Sequence, residues 1–465
     1  MSRINILSRI HLEGLINKEE GTSKAKQGTM TPNPFSRRTT SIDLDDYFSG
    51  PRDISKHSKW PLFLQLHGSI TPKLIVPLIV IGGWATLITV LSAKFYHIEL
   101  SIEPVLLTIT GFVVSMGLSF RSSSAYERYA EGRRCWSQLI LASQSLGRVI
   151  WVHAIERPET AKDDLLAKLT AMNLVVAFAV SLKHKLRFEP YVNHEDLVDL
   201  VGHIDTLAKT ATEDEGVLKP TRKSIFKVVG ENLGLSFATS NPRKQIKRSA
   251  HPLGNMPLEI LCYLTSYADE LVANAQLPVG MQQTAFYNNL GLLNDVLVNT
   301  ERVLNTPLPI AYAIVISQIT WLYVFLLPFQ LYHALGYITI PATVFASYII
   351  LAIFFIGHEI ENPFGNDVND LPLDNFCEQI VQDMETISCR KKISTSELVK
   401  SARNKLMYPY SSGGYNFWAS KEEDEIRDAL RNRPVASHQA VTAGLDHRGK
   451  KVKTPTSSKM GAESV

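Results

Sequence analysis

Long stretches without a charged side chain constrain this sequence more than any other feature. No Asp, Glu, Lys or Arg occurs from Val303 to Ile356, from Leu74 to Ala93, or from Val105 to Phe120. A helix needs about 20 apolar residues to cross the ~30 Å hydrocarbon layer of a membrane. The Gly- and Pro-containing segment from Leu335 to Pro341 divides the longest run. We therefore predict four membrane spans, at about residues 74–93, 105–120, 309–332 and 338–356.

Helical spacing extends the second span beyond its apolar part. Small or apolar residues continue at intervals of three and four through Ala125, Tyr129, Gly132 and Trp136, which predicts one long helix that leaves the membrane. The segment from Leu165 to Leu182 is also apolar, but its charge-free part is too short for a crossing and favours a buried core helix. The predicted fold is all-α and multi-pass, with long helices extending into a cytosolic helical region.

Positive charge flanks the start of the first span and the end of the second. Lys56, Lys59 and Lys73 precede or open the first span, and Arg121 and Arg128 follow the second. Because such residues accumulate on the cytoplasmic side of membrane helices, we predict that both chain termini are cytosolic. A plasma membrane is the expected location, and an organelle membrane is the alternative.

Composition and motifs exclude several other functions. The formal net charge is only +3, so nothing in the overall charge indicates a nucleic-acid partner. The four cysteines have no CxxC spacing, which indicates neither a zinc site nor a disulfide framework. The sequence contains no P-loop and no GxSxG motif, and Asn362 stands where an HExxH helix would need its second histidine. We expect no enzymatic activity.

Two stripes run along the second span. Phe112, Met116 and Phe120 are four residues apart and lie on one helical face. A neighbouring stripe of small residues, Gly111, Ser115 and Ser119, predicts a seam where another helix packs closely. The bulky stripe has two interpretations: a core contact between membrane helices, or a hydrophobic constriction that lines a pore.

Charged and polar residues follow the second and the last span. The first group could bind ions, or it could form ion pairs between helices; its members are Arg121, Glu127, Arg128, Glu131 and Arg133. In the second group, Asp367, Asn369, Asp370 and Asp374 carry oxygen atoms that suit calcium. Pro372 replaces the glycine that an EF-hand turn requires, and the alternative is that Asp374 caps the helix that follows.

These two stretches together resemble the bestrophin family of anion channels. The resemblance rests on residues 121–136, RSSSAYERYAEGRRCW, and on residues 361–374, ENPFGNDVNDLPLD. The element TPLP at 306–309 and the order of four spans are also similar to that family. The opening WPLF at 60–63 resembles its fungal branch.

The resemblance implies a homopentameric channel for chloride and other small anions, embedded in a lipid bilayer, with the second span lining the pore. The family's hydrophobic neck falls on Phe112, Met116 and Phe120. A calcium clasp of the animal members would use the side chains of Asp367 and Asp370 and the backbone carbonyl of Asn362. Acidic residues of that clasp are replaced here by Asn366, Val368 and Asn369. No cofactor is therefore expected as a requirement, and calcium remains an alternative.

The composition and the extent of the resemblance together divide the chain. Residues 1–55 are predicted to be a polar, largely disordered segment, 56–392 a channel domain, 393–431 a partly helical cytosolic segment, and 432–465 a disordered tail. The alternative function is that of a membrane-anchored scaffold or regulatory protein with the same fold and no conduction. Oligomeric mass in detergent distinguishes the two, because a monomer cannot form a pore from second spans.

Overall fold

The computed structural model describes residues 68–94, 104–189, 192, 194–212, 254–392, 394–408 and 411–431. Every regular element within these ranges is helical. The elements are α1 (Thr71–Lys94), α2 (Pro104–Arg148), α3 (Ala161–Leu186), α4 (Val198–Val201), α5 (Leu207–Thr212), α6 (Met256–Ala273), α7 (Gly280–Asn305), α8 (Ile310–Leu335), α9 (Thr339–Glu359), α10 (Leu373–Ser388), α11 (Thr395–Lys400), α12 (Tyr415–Ala419) and α13 (Glu423–Arg431). The segments predicted to be disordered, 1–55 and 432–465, lie outside the described residues.

Four helices contain the predicted spans and pack together. These are α1, the first half of α2, α8 and α9. Their shared core includes Leu74, Ile81, Leu118, Val324 and Leu351. By length and composition, the helical stretches long and apolar enough to cross a membrane are α1, the stretch Pro104–His153 that contains α2, the stretch Ile310–Glu359 that contains α8 and α9, and also α3. The turn between α8 and α9 is a short 3-10 segment at Gly336–Ile338, where Gly336 adopts a φ of +54°. The prediction of an all-α, multi-pass fold is confirmed.

The second span belongs to one uninterrupted helix. The 45 residues of α2 correspond to a length of about 68 Å at ~1.5 Å per residue. Because the hydrocarbon layer is only ~30 Å thick, the second half of α2 must lie beyond it. A single π-helical turn, Val149–His153, ends the helix. The sequence-based prediction of one long helix is therefore confirmed.

The second half of α2 is packed in a larger helical core. There Trp136 contacts a cluster built from α3, α6, α7 and α10, represented by Phe178, Ile260, Leu293 and Ile380. In α3, 67% of the apolar stretch is buried within the protein, against 22–33% in the other candidate spans. A lipid-facing helix leaves most of its surface open to lipid, so this burial supports the prediction that α3 is a core helix.

Candidate functional site

The site predicted to be a pore neck lies on one exposed face of α2. Phe112 is 71% exposed, Met116 51% and Phe120 52%. Together with Ser115 and Ser119 they line an open groove of about 290 Å³. Large apolar side chains are also exposed elsewhere on the membrane helices, for example Ile109 on α2 and Ile314 on α8. Such surfaces normally mark contact with lipid, protein or a ligand.

The opposite face of the same helix explains why the stripe points outward. Val114 and Leu118 are buried against the other membrane helices, and Ala125, further along α2, is also buried. Gly117 brings α2 close to α8, where an added Cβ would lie 3.6 Å from the side chain of Ile316. One face of α2 is thus fixed by its own protomer, and the Phe112–Phe120 face is left for a surface that this protomer does not supply.

The stripe of small residues forms a packing seam only at its first member. An added Cβ on Gly111 would lie 3.0 Å from the hydroxyl oxygen of Tyr323 in α8, so the close approach predicted there is present. Ser115 and Ser119 are exposed and line the groove instead. Within the described part of this protomer no helix covers these two residues, so a seam along the whole stripe stays a prediction.

Arg121 directly follows the last residue of the predicted neck and joins it to the end of α9. Its side chain is only 5% exposed, and its Nη2 donates to Glu361 Oε2 at 3.5 Å. The same Nη2 lies 3.2 Å from His358 Nδ1, and the guanidinium stands over the ring of Phe354 at 4.7 Å. Burial opposes ionisation of Glu361, but the hydrogen bond with His358 and the charge of Arg121 lower the pKa of Glu361 below its ordinary value.

Arg128 binds backbone carbonyls from two separate segments. It donates to Glu361 O at 3.0 Å and to Val303 O at 2.6 Å, and it also contacts Thr306 O. Val303 is in the last turn of α7, where carbonyl oxygens have no partner within the helix. Arg128 therefore caps α7 and ties it to the segment that follows the last span.

The remaining charged residues after the second span, Glu127, Glu131 and Arg133, mostly form contacts between helices or along α2. Glu131 forms an ion pair with Arg302 of α7. Arg133 donates to Ser137 Oγ at 2.7 Å, and its guanidinium stands 4.4 Å from the ring of Phe376. Glu127 is exposed. Two of the five residues, Arg121 and Glu131, form ion pairs with other segments of the chain, as one interpretation predicted. Arg128 and Arg133 make hydrogen bonds to uncharged groups instead.

The two family-like stretches meet in space at Gly132. An added Cβ there would lie 3.1 Å from the ring of Phe364 and 3.2 Å from Leu371. Trp136, one helical turn further on, packs on Phe376 with ring centroids 5.8 Å apart. The sequence analysis missed this contact between α2 and the post-span block, residues 361–374. The two stretches are far apart in the chain, and no local pattern indicates that they meet.

Two of the residues considered for calcium, Asp367 and Asp370, lie in a tight turn in which one carboxylate oxygen of each already has a partner. Asp370 is 4% exposed, and its Oδ2 accepts the backbone N–H of Asp367 at 2.6 Å. Gly365 permits this close turn, because an added Cβ would lie 2.5 Å from the same oxygen. Asp367 Oδ2 lies 3.3 Å from the ammonium of Lys73, which also reaches Glu359 at 3.1 Å.

Asn362 lies in the same turn, its Nδ2 3.8 Å from where a Cβ on Gly365 would be. Calcium needs six to eight oxygen ligands with little competing positive charge. The lysine ammonium at Asp367 and the backbone hydrogen bond at Asp370 do not fit that requirement.

Asp374 does not cap the helix, contrary to the sequence-based alternative. The cap of α10 is Pro372, and Asp374 lies in the first turn. Its carboxylate instead accepts hydrogen bonds from Lys183 at 2.8 Å and from Arg187 at 2.9 Å, two residues at the end of α3. Burial opposes ionisation of this carboxyl, but those hydrogen bonds lower the pKa of Asp374 to about 2.

A family profile described as Bacterial/Fungal Bestrophin protein matches residues 52–386. The chain belongs to the bestrophin family. It is similar to the voltage-dependent anion channel-forming protein alr2987 of Nostoc sp., with 31% identity over 337 residues, or 72% of this chain and 93% of that protein. The voltage-dependent anion channel-forming protein sll1024 of Synechocystis sp. is 29% identical over 330 residues, or 70% of this chain and 90% of that protein.

The bestrophin fold also relates this chain to solved structures. A bacterial Bestrophin homolog from Klebsiella pneumoniae aligns with a TM-score of 0.51 and 23% identity, covering 68% of this chain and 100% of that one. The resemblance found in the sequence is thereby confirmed, and this bestrophin is an integral membrane protein.

Proposed function

We propose that this bestrophin is a homopentameric channel that conducts chloride and other small anions passively through a pore lined by α2. The observation that carries the proposal is the exposed row of Phe112, Met116 and Phe120 on a helix whose other face is buried. Five copies around an axis would turn this row into three apolar rings. The relatives named as anion channel-forming proteins support conduction by this chain.

The proposed neck would act through dehydration. Apolar rings exclude water from a narrow pore, so an ion passes only if it sheds part of its hydration shell. A weakly hydrated halide gives up less hydration free energy in this step than a strongly hydrated anion does. Electropositive helix N-termini would favour negative over positive ions. Ser115 and Ser119 add hydroxyl groups beside the rings that can donate to an anion in passage.

We further propose that the channel works without calcium. Lys73 places an ammonium between Glu359 and Asp367, and this cation supplies the positive charge that a bound metal would bring to the turn. Asp370 is held by the backbone of Asp367 and so is already positioned.

Both chain termini are proposed to be cytosolic, because the basic flanks of α1 and α2 indicate that side.

The test is halide flux into liposomes that contain the purified full-length protein. Phe112→Ala and Phe120→Ala should change the rate or the selectivity among halides, because each removes most of one ring. Val113→Ala is a matched control: Val113 is 49% exposed on the same helix but does not line the groove. The control should behave like the unmodified protein. Mass in detergent should correspond to five chains.

Two outcomes would overturn parts of the proposal. Absence of flux from a well-folded pentamer would favour the alternative of a non-conducting scaffold with the same fold. If the flux is anion-selective but neither phenylalanine variant alters it, the protein is a channel and the assignment of these residues to the neck is wrong.

A further inference from the structure

Three side chains that could bind a metal lie at the end of α3 and in the chain after it, and none of them belongs to the proposed neck or to the turn at 362–370. His184, Glu189 and His194 each offer one ligand atom, and these atoms all lie within 4.8 Å of one another. His184 is buried at 6% exposure, while Glu189 and His194 are partly exposed. Neither conduction nor the packing of α2 explains why two imidazoles and a carboxylate converge here.

The ring of His184 is held in one orientation. Its Nε2 lies 2.8 Å from Asp196 Oδ1, and Asp196 in turn forms an ion pair with Lys183. With Nε2 fixed in this way, Nδ1 faces Glu189 Oε2 at 2.9 Å. Both ring nitrogens of His184 therefore face carboxylates in the absence of a metal. An ion bound between Nδ1 and Glu189 would replace the proton they share and leave Asp196 as the carboxylate that orients the ring, which is the usual arrangement of histidine in metal sites.

His194 supplies an independent observation. Its ring is stacked on that of His184, with centroids 3.9 Å apart and an interplanar angle of 11°. Its Nε2 is buried and has no hydrogen-bond partner among the described residues. A buried nitrogen without a partner is destabilising, and an imidazole nitrogen is a common metal ligand.

We propose that His184, Glu189 and His194 bind a divalent transition-metal ion of the zinc class. Two imidazoles and one carboxylate form a ligand set that suits zinc, with a fourth position left for water. The side chain of Glu189 is 37% exposed, which gives an ion access from solvent. Because imidazole donates its lone pair in the ring plane, binding requires the two stacked rings to tilt towards one ion.

The proposed site would fasten the chain after α3 to the helical core. Lys183, next to His184, bridges Asp196 and Asp374 of α10. A metal at His184 would therefore stiffen a network that reaches from α3 through Asp196 to α10. Zinc should raise the thermal stability of the protein, because an ion that binds only the folded state stabilises that state.

Zinc binding to the untagged full-length protein in detergent tests the proposal. After treatment with a chelator, the protein is titrated with Zn²⁺ by calorimetry, and the metal content per protomer is measured. Cobalt(II) is a second probe, because its visible absorption reports the ligands around it. His194→Gln and Glu189→Gln each remove one ligand. His203→Gln is the matched control, since His203 is an exposed histidine outside the cluster.

The expected result is one zinc per protomer, with affinity lowered by more than about 100-fold in His194→Gln and Glu189→Gln, since losing even an outer-shell partner typically lowers metal affinity about 10- to 100-fold. His203→Gln should bind like the unmodified protein, and only the ligand variants should change the cobalt spectrum. The proposal is overturned if the unmodified protein binds no zinc at this stoichiometry, or if the two ligand variants bind as well as the control.

Discussion

Replacing Gly132 by alanine would test the contact between α2 and the post-span block. The new methyl group would lie 3.1 Å from two ring carbons of Phe364 and 3.2 Å from Leu371 Cδ1. Optimal carbon–carbon contacts are at about 3.5–4.0 Å, so both neighbours would have to move by a few tenths of an ångström. Phe364 is 0% and Leu371 3% exposed, and neither can swing into solvent.

Two opposing effects set the size of the change. Alanine in place of glycine within a helix stabilises by about 1 kcal/mol, whereas overpacking a well-filled core costs about 1–3 kcal/mol. Gly132→Ala should therefore lower the free energy of unfolding by up to ~2 kcal/mol. Gly291→Ala in α7 is the control: nothing lies within 4 Å of its added Cβ, so only the favourable helix effect remains.

Thermal unfolding of the two purified variants in detergent distinguishes these effects, because they change the unfolding temperature in opposite directions. Gly291→Ala should raise the unfolding temperature, and Gly132→Ala should lower it. Tryptophan fluorescence is a suitable signal, because Trp136 is fully buried one turn from Gly132. Should Gly132→Ala raise the unfolding temperature as much as Gly291→Ala does, the tight contact with Phe364 and Leu371 would be refuted.

Three further predictions concern the charged residues. Arg128→Met removes hydrogen bonds to carbonyls of two segments and should lower the free energy of unfolding by at least ~1.5 kcal/mol, while the exposed Arg134→Met should have little effect in the same thermal assay. The depressed pKa of Glu361 means that its ion pairs stabilise the protein above its ordinary pKa of 4.5. The stability difference between the unmodified protein and Glu361→Gln should therefore shrink as the pH falls below that value, and a constant difference down to pH ~3 would contradict this. Excess calcium should leave the unfolding temperature of the unmodified protein unchanged but raise that of Lys73→Met, whose Glu359 and Asp367 would lack their cation.

The membrane helices could be predicted from the sequence because a span is recognised from consecutive apolar residues alone, without knowledge of the tertiary structure. A run such as Leu74–Ala93 must be apolar over its whole length, whatever it packs against. The spacing of Phe112, Met116 and Phe120 likewise places them on one face, since helical geometry is local. That this face is the exposed one depends on how α8 and α9 cover the other side of α2, and spacing alone carries no such information.

The contacts of the candidate site could not be predicted in the same way. Gly132 and Phe364 are far apart in the chain, and nothing local in either stretch identifies the other as its partner. Asp374 illustrates the same problem. Its position suits a helix cap, but Lys183 and Arg187 approach from α3 and bind its carboxylate. Two charged hydrogen bonds outweigh one cap, because bonds between ionised groups are about twice as strong as neutral ones.

The predicted neck is joined by direct contacts to the segment that follows the last span. Arg121 directly follows Phe120 in the same helix, and its buried guanidinium is held by Glu361 and Phe354. Arg128, two turns further on, is bound to the carbonyl of that same Glu361. Phe120, Arg121 and Arg128 belong to one uninterrupted helix, so we expect a displacement of Glu361 to shift Phe120 as well. The diameter of a pore formed by these residues would therefore depend on the segment after the last span as much as on the apolar side chains themselves.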